Sequence, residues 1–352
     1  MATLFENLTL NPGNIQSLRE AVIETFYKTE SLDKYTHLVK AKSGDPIALI
    51  GALEDVGKAG AGCDPEYESK GIANQLKRWK LGEWSIPIKI CYKSLEGTFA
   101  QLGLKGGTEI GDLTDTDVLA IYTDALNRAI VEMFWRFGWF GSLNAKTIAD
   151  GGVVTNGPDL AKLNVCDGLW QRIYTQVAAN AAQLTKIDAN AKTTYAAQKG
   201  AALAEGYATG ILDTLMMDAD SRISGNSNAV VFVTKALADA LTVDIKKTYK
   251  YSLPWEVVFD GFKTTSYNGV TIVAVSIWDR IIKSYENTGT ALNKPYRAVY
   301  VDPQQLLVAT DADGLFTDLD IFFDHKSRNQ YIYAAGMIDS NLLEVELLQV
   351  AY

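Results

Sequence analysis

Residues 115–137 carry apolar side chains at helical spacing along the whole segment. One face is formed by Val118, Tyr122, Leu126, Ile130, Met133 and Phe137. This period predicts a single amphipathic α-helix, which at 1.5 Å per residue is roughly 35 Å long. Gly138 follows at once, and we predict that it ends the helix. Any fold for this chain must therefore accommodate one long, rigid rod.

The end of this predicted helix is unusually rich in aromatic side chains. The sequence FWRFGWFGS places five rings around a single arginine, at Phe134, Trp135, Phe137, Trp139 and Phe140. Each such ring buries on the order of 150 Å² or more when it is removed from water. The cluster therefore requires either a deep core or a partner surface, and we favour the core.

A second constrained segment lies before the helix. Trp84, Ile86, Ile88 and Ile90 alternate with more polar positions, which predicts a half-buried β-strand. The strand follows residues 45–80, a glycine-rich and charged stretch with weak periodicity. We expect that stretch to be a long exposed excursion and not part of the core.

The C-terminal segment predicts a hairpin and a further strand. Leu319, Ile321 and Phe323 are expected to pair with a return through Tyr331 and Tyr333 across the turn HKSRN. We predict a corner at residues 339–341, followed by a strand in which alternate residues are apolar. That alternation changes phase near residue 348, which indicates either a bulge or cover on both faces. A bare edge there would invite unwanted pairing, so the strand must be paired or covered.

The remaining elements mix helices and strands without the regular alternation of a doubly wound sheet, so the fold class is α+β. We predict a modest amphipathic helix at residues 14–30 and a mostly helical segment at residues 167–220. The later segments predict a strand at 229–234, a helix at LADALTVDIKK, strands in VVFDG and TIVAVSI around an Asn268-Gly269 turn, and one strand in RAVYVDPQQLLVATD.

Composition excludes several classes of function. The net charge is −9 and the sequence pI is near 4.9, so a polyanion gains little by binding this surface, and a dedicated DNA or RNA reader is disfavoured. No apolar run approaches twenty residues, which excludes a membrane-spanning helix. The start has neither a basic head nor an apolar stretch, so we expect no signal peptide and an intracellular place of synthesis.

The residues that could support catalysis are few and scattered. The two histidines, His37 and His325, are almost three hundred residues apart, and we expect a surface position and a turn position for them. Ser227 precedes a strand, whereas a nucleophile elbow follows one. Asp115 and Asp117 are interpreted as acids at a helix N-terminus. We predict no catalytic residue, although a glycosidase-like carboxylate pair stays open.

Metal, phosphate and disulfide motifs are similarly weak. Residues 311–314, with the sequence DADG, lack the later glutamate of a calcium loop and predict a tight turn. The glycines of GKAGAGCD have no preceding strand and no lysine of a phosphate-binding loop. Cys63, Cys91 and Cys166 are odd in number and far apart, which is typical of buried free thiols. We predict no metal, no cofactor and no disulfide framework.

The order of these parts resembles a known family. Three segments carry the resemblance: WSIPIKICYKSLEGTF, DLTDTDVLAIYTDALNRAIVEMFWRFGWFG and DIFFDHKSRNQYIYAAGMIDSNLLEVELLQVAY. They resemble the strand that returns from an extended loop, the spine helix and the closing hairpin with its final strand in major capsid proteins of tailed bacteriophages. That family has the Hong Kong 97-type shell fold, which encapsulins also use.

The resemblance implies a domain organisation. It implies an N-terminal arm at 1–45 and an extended loop at 46–85, with a peripheral domain at 86–145 and 311–340 that contains the spine helix. The axial domain would be formed by 146–310 and 341–352. About forty residues precede the extended loop, so a scaffolding segment is expected to be absent, removed or supplied separately. Neither partner of an isopeptide crosslink can be assigned a position, so we predict no crosslink.

The resemblance also implies the function and the partners. The chain would be a structural subunit and not an enzyme, assembling with itself into pentamers and hexamers of an icosahedral head. Further partners would be portal, scaffold or decoration proteins and packaged double-stranded DNA bound without sequence specificity, with no membrane. Its location would be the virion, after assembly in the bacterial cytoplasm. The alternatives are an encapsulin-like compartment and an α+β hydrolase with unrecognised carboxylates.

Overall fold

The computed structural model describes residues 32–53, 72–91, 117–257, 262–316, 319–324 and 329–352. The predicted helix at 14–30, His325, the glycines of GKAGAGCD and Cys63 lie outside these residues. Within them the chain is a mixture of helices and strands, as the sequence predicts.

The helices and strands of the described residues are numbered in chain order. The helices are α1 (Asp117–Trp135), α2 (Leu169–Ala179), α3 (Tyr195–Ala202), α4 (Tyr207–Met217), α5 (Ser221–Ser224), α6 (Lys235–Thr248) and α7 (Ser276–Tyr285). The strands are β1 (His37–Lys40), β2 (Pro46–Leu53), β3 (Ile72–Arg78), β4 (Gly82–Cys91), β5 (Leu184–Thr185), β6 (Val230–Thr234), β7 (Glu256–Val257), β8 (Lys263–Tyr267), β9 (Val270–Val275), β10 (Ala298–Val301), β11 (Leu306–Thr310), β12 (Asp320–Asp324), β13 (Asn329–Leu342) and β14 (Leu348–Ala351).

The long helix is present, but its end differs from the prediction. Helix α1 continues directly into a π-helical turn at Arg136–Phe140, so Gly138 does not end the helix. A Cβ at Gly138 would lie 2.5 Å from Cδ2 of Leu32, a residue that is fully buried in a short turn before β1. Any larger residue here would push the Leu32 side chain aside, so the glycine lets the N-terminal segment pack closely against the helix.

The aromatic cluster at the end of α1 lies in the core, as favoured from the sequence. Trp139 is fully buried, and its ring centroid lies 4.5 Å from that of Trp278 on α7 and 5.8 Å from that of Trp170 on α2. Trp135 makes an edge contact with Phe262, with the ring centroids 5.4 Å apart. These rings join the helical turn to two other helices, so burial of large aromatic surfaces holds the centre of the molecule together.

A five-stranded sheet contains both the strand predicted at residues 84–90 and the predicted closing hairpin. Its order is β1-β11-β13-β12, and β4 also pairs with β13. The β4 pairing runs from Gly82 opposite Ile338 to Cys91 opposite Asn329, and Trp84 and Ile86 are buried as the alternation predicts. The predicted closing hairpin is confirmed as β12 paired with β13, with Ile321 opposite Ile332. Strand β1, inside the predicted arm, pairs in parallel with β11.

The predicted corner at residues 339–341 is wrong. Strand β13 continues without interruption to Leu342, and the chain turns only at 343–347. The final strand is β14, which pairs on one side with β10 and on the other with β5. The change of phase near residue 348 is therefore a turn between two strands and not a bulge. All four residues of the final strand are buried, so the predicted alternative of cover on both faces is confirmed. Both edges of the C-terminal strand are paired, which satisfies its backbone groups.

A seven-stranded sheet contains this C-terminal strand in the order β5-β14-β10-β6-β9-β8-β7. Asn268 and Gly269 have φ values of 49° and 80° and form the predicted tight turn, but they join β9 to β8 and not to VVFDG. The segment RAVYVDPQQLLVATD is not one strand. A 3-10 turn at Pro303–Gln305 separates β10 from β11, and the two strands lie in different sheets.

Helices α4 and α6 pack together on the seven-stranded sheet through a buried carboxylate. Asp244 of α6 accepts hydrogen bonds from the backbone N–H of Thr209 at 3.0 Å and from its hydroxyl at 2.8 Å, and also from the N–H of Gly206. Burial raises the pKa of Asp244, but these donors outweigh it and hold the pKa below its usual range. The side chain of one helix thus caps the N-terminus of the other.

Candidate assembly surface

The segment that stands out from the two large sheets is a ribbon of two strands. β2 and β3 pair antiparallel from Pro46 opposite Arg78, with an irregularity between Ile50 and Leu53. Within the described residues neither strand pairs with a third, and Leu76 is 63% exposed. This ribbon, residues 46–53 and 72–78, is called the arm below. An isolated two-stranded ribbon is marginally stable in water, so the arm needs further cover.

The sequence predicted an exposed excursion here and missed its strands. The signal was the almost continuous apolar run PIALIGAL after the turn at Gly44-Asp45. Such a run does not distinguish a strand from a short buried helix, because its periodicity is ambiguous.

The root of the arm is fixed to the five-stranded sheet by a small apolar cluster. Ile47 and Trp79 are buried there against Ala41, Leu307 and Ala309. The backbone N–H of Gly44 donates to the carbonyl of Trp79 at 2.8 Å, and the N–H of Trp79 donates to the carbonyl of Asp45 at 3.0 Å. The two strands therefore leave the body together at a defined position.

A buried carboxylate ties this root to the rest of the molecule. Asp339 is fully buried and accepts hydrogen bonds from the backbone N–H of Lys80 at 2.9 Å and that of Ser340 at 2.9 Å. Arg172 of α2 forms an ion pair with it at 3.4 Å. Burial raises the pKa of Asp339, although the donors and Arg172 oppose the shift. The sequence interpretation placed this residue in a corner and missed its role.

Lys77 adds a further tether on the arm itself. Its ammonium group donates to the carbonyl oxygens of Leu342 at 2.6 Å and Leu343 at 3.2 Å, where β13 ends. Burial, followed by the nearby charge of Arg172, lowers the pKa of Lys77. The part of the arm next to its root is thus held by polar contacts of Lys77, whereas the neighbouring Leu76 side chain faces solvent.

The residues considered for catalysis are not brought together by the structure. His37 and Ser227 are both exposed, on β1 and on the turn before β6. Asp311 accepts a hydrogen bond from the N–H of Met337, and Asp313 pairs with Lys40. Asp117 is the first residue of α1, while Asp115 lies outside the described residues. The candidate positions that the structure describes therefore do not form a common site.

The described part of the chain contains no group of three or more histidine, cysteine or acidic residues placed to hold a metal ion. Cys166 is a buried free thiol whose pKa is raised by burial. No helix in the same residues is long and apolar enough to cross a membrane.

Two shallow grooves flank α6, with volumes of about 300 and 450 Å³. The surface exposed in each groove is mostly apolar, and Asp239 is the carboxylate on both linings. Asp239 is exposed and forms an ion pair with Lys235. A carboxylate pair of the kind that hydrolases use requires two acids in one pocket, and these grooves do not supply it.

The comparisons with known proteins rest on structure alone. No protein-family model matches the chain, and no curated protein matches its sequence. A chain from Mycobacterium phage Ogopogo is 12% identical with a TM-score of 0.53, and the match covers 92% of both chains. A chain from the satellite phage P4 procapsid, in a structure that includes the size determination protein, is 12% identical with a TM-score of 0.50. That match covers 94% of this chain and 98% of the other.

This chain has the fold of a phage capsid protein. It is the Hong Kong 97-type fold expected from the sequence, and the α+β class is confirmed. The holo-SrpI encapsulin complex from Synechococcus elongatus PCC 7942 is 8% identical with a TM-score of 0.46, covering 91% of this chain and 85% of that one. Among the described residues of this fold, the arm is the element whose two strands pair with each other and with no third strand.

Proposed function

We propose that the chain is a self-assembling subunit of an icosahedral phage head that encloses double-stranded DNA. The observation that carries the proposal is the arm, whose root is fixed and whose strands have no third partner among the described residues. The capsid fold of the whole chain supports the same conclusion. A neighbouring copy would cover the arm and bury the exposed face of Leu76.

The physical reasoning concerns how a shell closes. A shell needs large contacts between different surfaces of identical copies, arranged so that a rotation closes them into rings. A projecting ribbon lies across a neighbour and buries area that a compact globule does not offer. The excess negative charge of −9 would also let packaged DNA slide past without adhering.

The finer features of the proposal follow the family resemblance. The chain acts as a structural protein without catalytic, metal or cofactor residues, and it contacts portal, scaffold or decoration proteins. It resides in the virion after assembly in the host cytoplasm. In this proposal residues 1–45 form the N-terminal arm, 46–85 the extended loop, 86–145 and 311–340 the peripheral domain, and 146–310 and 341–352 the axial domain.

The test uses the expressed full-length chain. Size-exclusion chromatography and negative-stain microscopy should show rings or closed shells. Leu76→Glu places a charge on the face to be covered, so it should shift the chain to small species while circular dichroism stays unchanged. Val153→Glu makes the same change at another exposed apolar position, 44% exposed, and should leave particle formation intact.

A compact monomer that persists at high concentration under conditions that permit assembly would overturn the proposed function. Normal assembly of the Leu76→Glu chain would overturn the role given to the arm, since the charged face of Leu76 would then have no part in the contact between copies.

A further inference from the structure

The end of α6 carries an exposed patch that combines aromatic rings with positive charge. Tyr249 and Tyr251 are 63% and 51% exposed, in a run of exposed residues from 246 to 252. Lys247 donates to the carbonyl of Leu203, and Lys250 donates to the carbonyl of Lys247, so both are partly used as caps. Lys246, Tyr249 and Tyr251 are called the lysine–tyrosine patch below. Such large exposed rings commonly mark a protein contact.

The C-terminal end of α4 carries a second exposed patch, which is apolar and negatively charged. Met217 is 82% exposed at the last position of α4, and Asp218 follows it in an exposed position. Arg222 follows Asp218 by four residues in the chain and pairs with three acids, which leaves an excess of negative charge. Guanidinium nitrogens of Arg222 lie 3.0 Å from a carboxylate oxygen of Asp220, 3.8 Å from one of Glu344 and 3.4 Å from one of Glu346. Met217, Asp218 and these acids are called the methionine–acid patch.

The two patches cannot satisfy each other within one chain. Asp244 of α6 caps the first turn of α4, so the end of α6 lies beside the N-terminus of α4. Met217 is at the C-terminus of that helix, eight residues after Thr209. At 1.5 Å per residue, the patches are separated along the axis of α4 by roughly 12 Å. Two complementary patches held apart on one rigid body favour head-to-tail contact between copies.

We infer that the lysine–tyrosine patch of one copy binds the methionine–acid patch of a neighbouring copy, as a second contact beside the arm. This inference rests on the proposed function. Tyrosine rings would pack on the thioether of Met217, a favourable contact for a polarisable sulfur. Lys246 would meet the excess negative charge around Asp218, which orients the two copies. Because the two surfaces differ, the contact repeats around a ring and does not stop at a dimer.

A cysteine pair tests the contact directly. In the Tyr249→Cys/Met217→Cys chain, mild oxidation of assembled particles should give a ladder of covalent oligomers on non-reducing gels. The same chain held as monomers should give no ladder and no internal crosslink. Tyr195→Cys/Met217→Cys is the matched control, because Tyr195 is 43% exposed but lies outside the patch, and it should give no ladder.

Charge reversal gives an independent readout. Lys246→Glu replaces an attraction by a repulsion, so the association constant should fall about tenfold for each 1.4 kcal/mol lost. Asp218→Lys should act similarly alone, and the double variant should recover assembly. Loss of assembly in both single variants without recovery in the double variant would overturn the pairing.

The outcomes separate this inference from the proposed function. If the wild-type chain forms no shells, the proposed function fails. If shells form but the Tyr249→Cys/Met217→Cys particles give no ladder, the inference fails and the proposed function stands. If Lys246→Glu leaves particles intact but lowers their DNA content, the patch faces nucleic acid and the inference is overturned.

Discussion

The carboxylate of Asp244 should be one of the largest single contributors to the stability of the α4–α6 unit. It is only 2% exposed, and it accepts hydrogen bonds from the N–H groups of Gly206 and Thr209 and from the Thr209 hydroxyl. Asp244→Ala removes the acceptor and leaves these donors at the start of α4 without a partner. Asp244→Asn keeps one carbonyl oxygen but turns an amide donor toward the others.

The magnitude follows from these contacts. Loss of a helix cap costs about 1 kcal/mol, and each buried donor left unsatisfied costs ~1–3 kcal/mol. Partial entry of water reduces the sum, so we expect Asp244→Ala to lower the free energy of unfolding by ~2–4 kcal/mol and Asp244→Asn by ~1–2 kcal/mol. Asp239→Ala, on the same helix but in an exposed ion pair with Lys235, should cost about 0–0.5 kcal/mol.

The pH dependence has a definite sign. The pKa of Asp244 is held below its unfolded value of about 3.9, so the ionised form is favoured in the folded state. Its contribution is fully present above that unfolded pKa and is lost as the pH falls through the lower, folded-state pKa. The difference between wild type and Asp244→Ala should therefore be constant near neutral pH and shrink below about pH 4.

Urea denaturation of the dissociated subunit, followed by circular dichroism, measures the change in midpoint. Hydrogen exchange provides the local readout, because amides in the first turn of α4 should exchange faster in Asp244→Ala than in Asp239→Ala. Equal midpoints and equal exchange in the two variants would refute the reasoning, since the buried cap would then contribute no more than an exposed pair.

Two further changes probe the packing of β4 and the root of the arm. A Cβ at Gly82 would lie 1.7 Å from the backbone carbonyl oxygen of Val165, so Gly82→Ala should lower the free energy of unfolding by ~3 kcal/mol. Gly200 in α3 has open space around it, so the control Gly200→Ala should raise the free energy of unfolding by ~0.5–1 kcal/mol. Calorimetry measures both changes. Arg172→Ala leaves the buried Asp339 short of a cation and should cost ~2–4 kcal/mol in urea denaturation, against ~0–1 kcal/mol for the exposed Arg280→Ala. Because burial already raises the pKa of Asp339, the Arg172→Ala chain should regain stability as the pH falls through that pKa, and a pH-independent loss would contradict the assignment.

Local periodicity accounts for most of the elements that the sequence predicts well. The alternation of Trp84 and Ile86, the six-position apolar face of α1 and the Asn268-Gly269 turn each depend on residues near one another in the chain. Such patterns are visible without any knowledge of the tertiary fold. The same holds for the β12–β13 hairpin.

The errors share a physical cause. Residues 339–341 have the composition of a corner, yet they continue β13 because Asp339 is satisfied by Arg172 and by the backbone of Lys80. Gly138 has the composition of a helix end, yet it lies inside the helical continuation because Leu32 packs on it. In both cases a contact with a residue distant in the chain overrides the local preference.

The sequence by itself determined the α+β class, the long helix, the aromatic core and the order of parts that resembles a capsid subunit. Only the tertiary structure decided that β10 and β11 lie in different sheets, that Asp339 anchors the arm, and that Asp244 of α6 caps α4. Secondary structure follows from spacing along the chain, whereas a buried carboxylate and its donors are brought together only when distant segments pack. The surfaces that we expect to join copies, the arm and the two complementary patches, belong to this second kind.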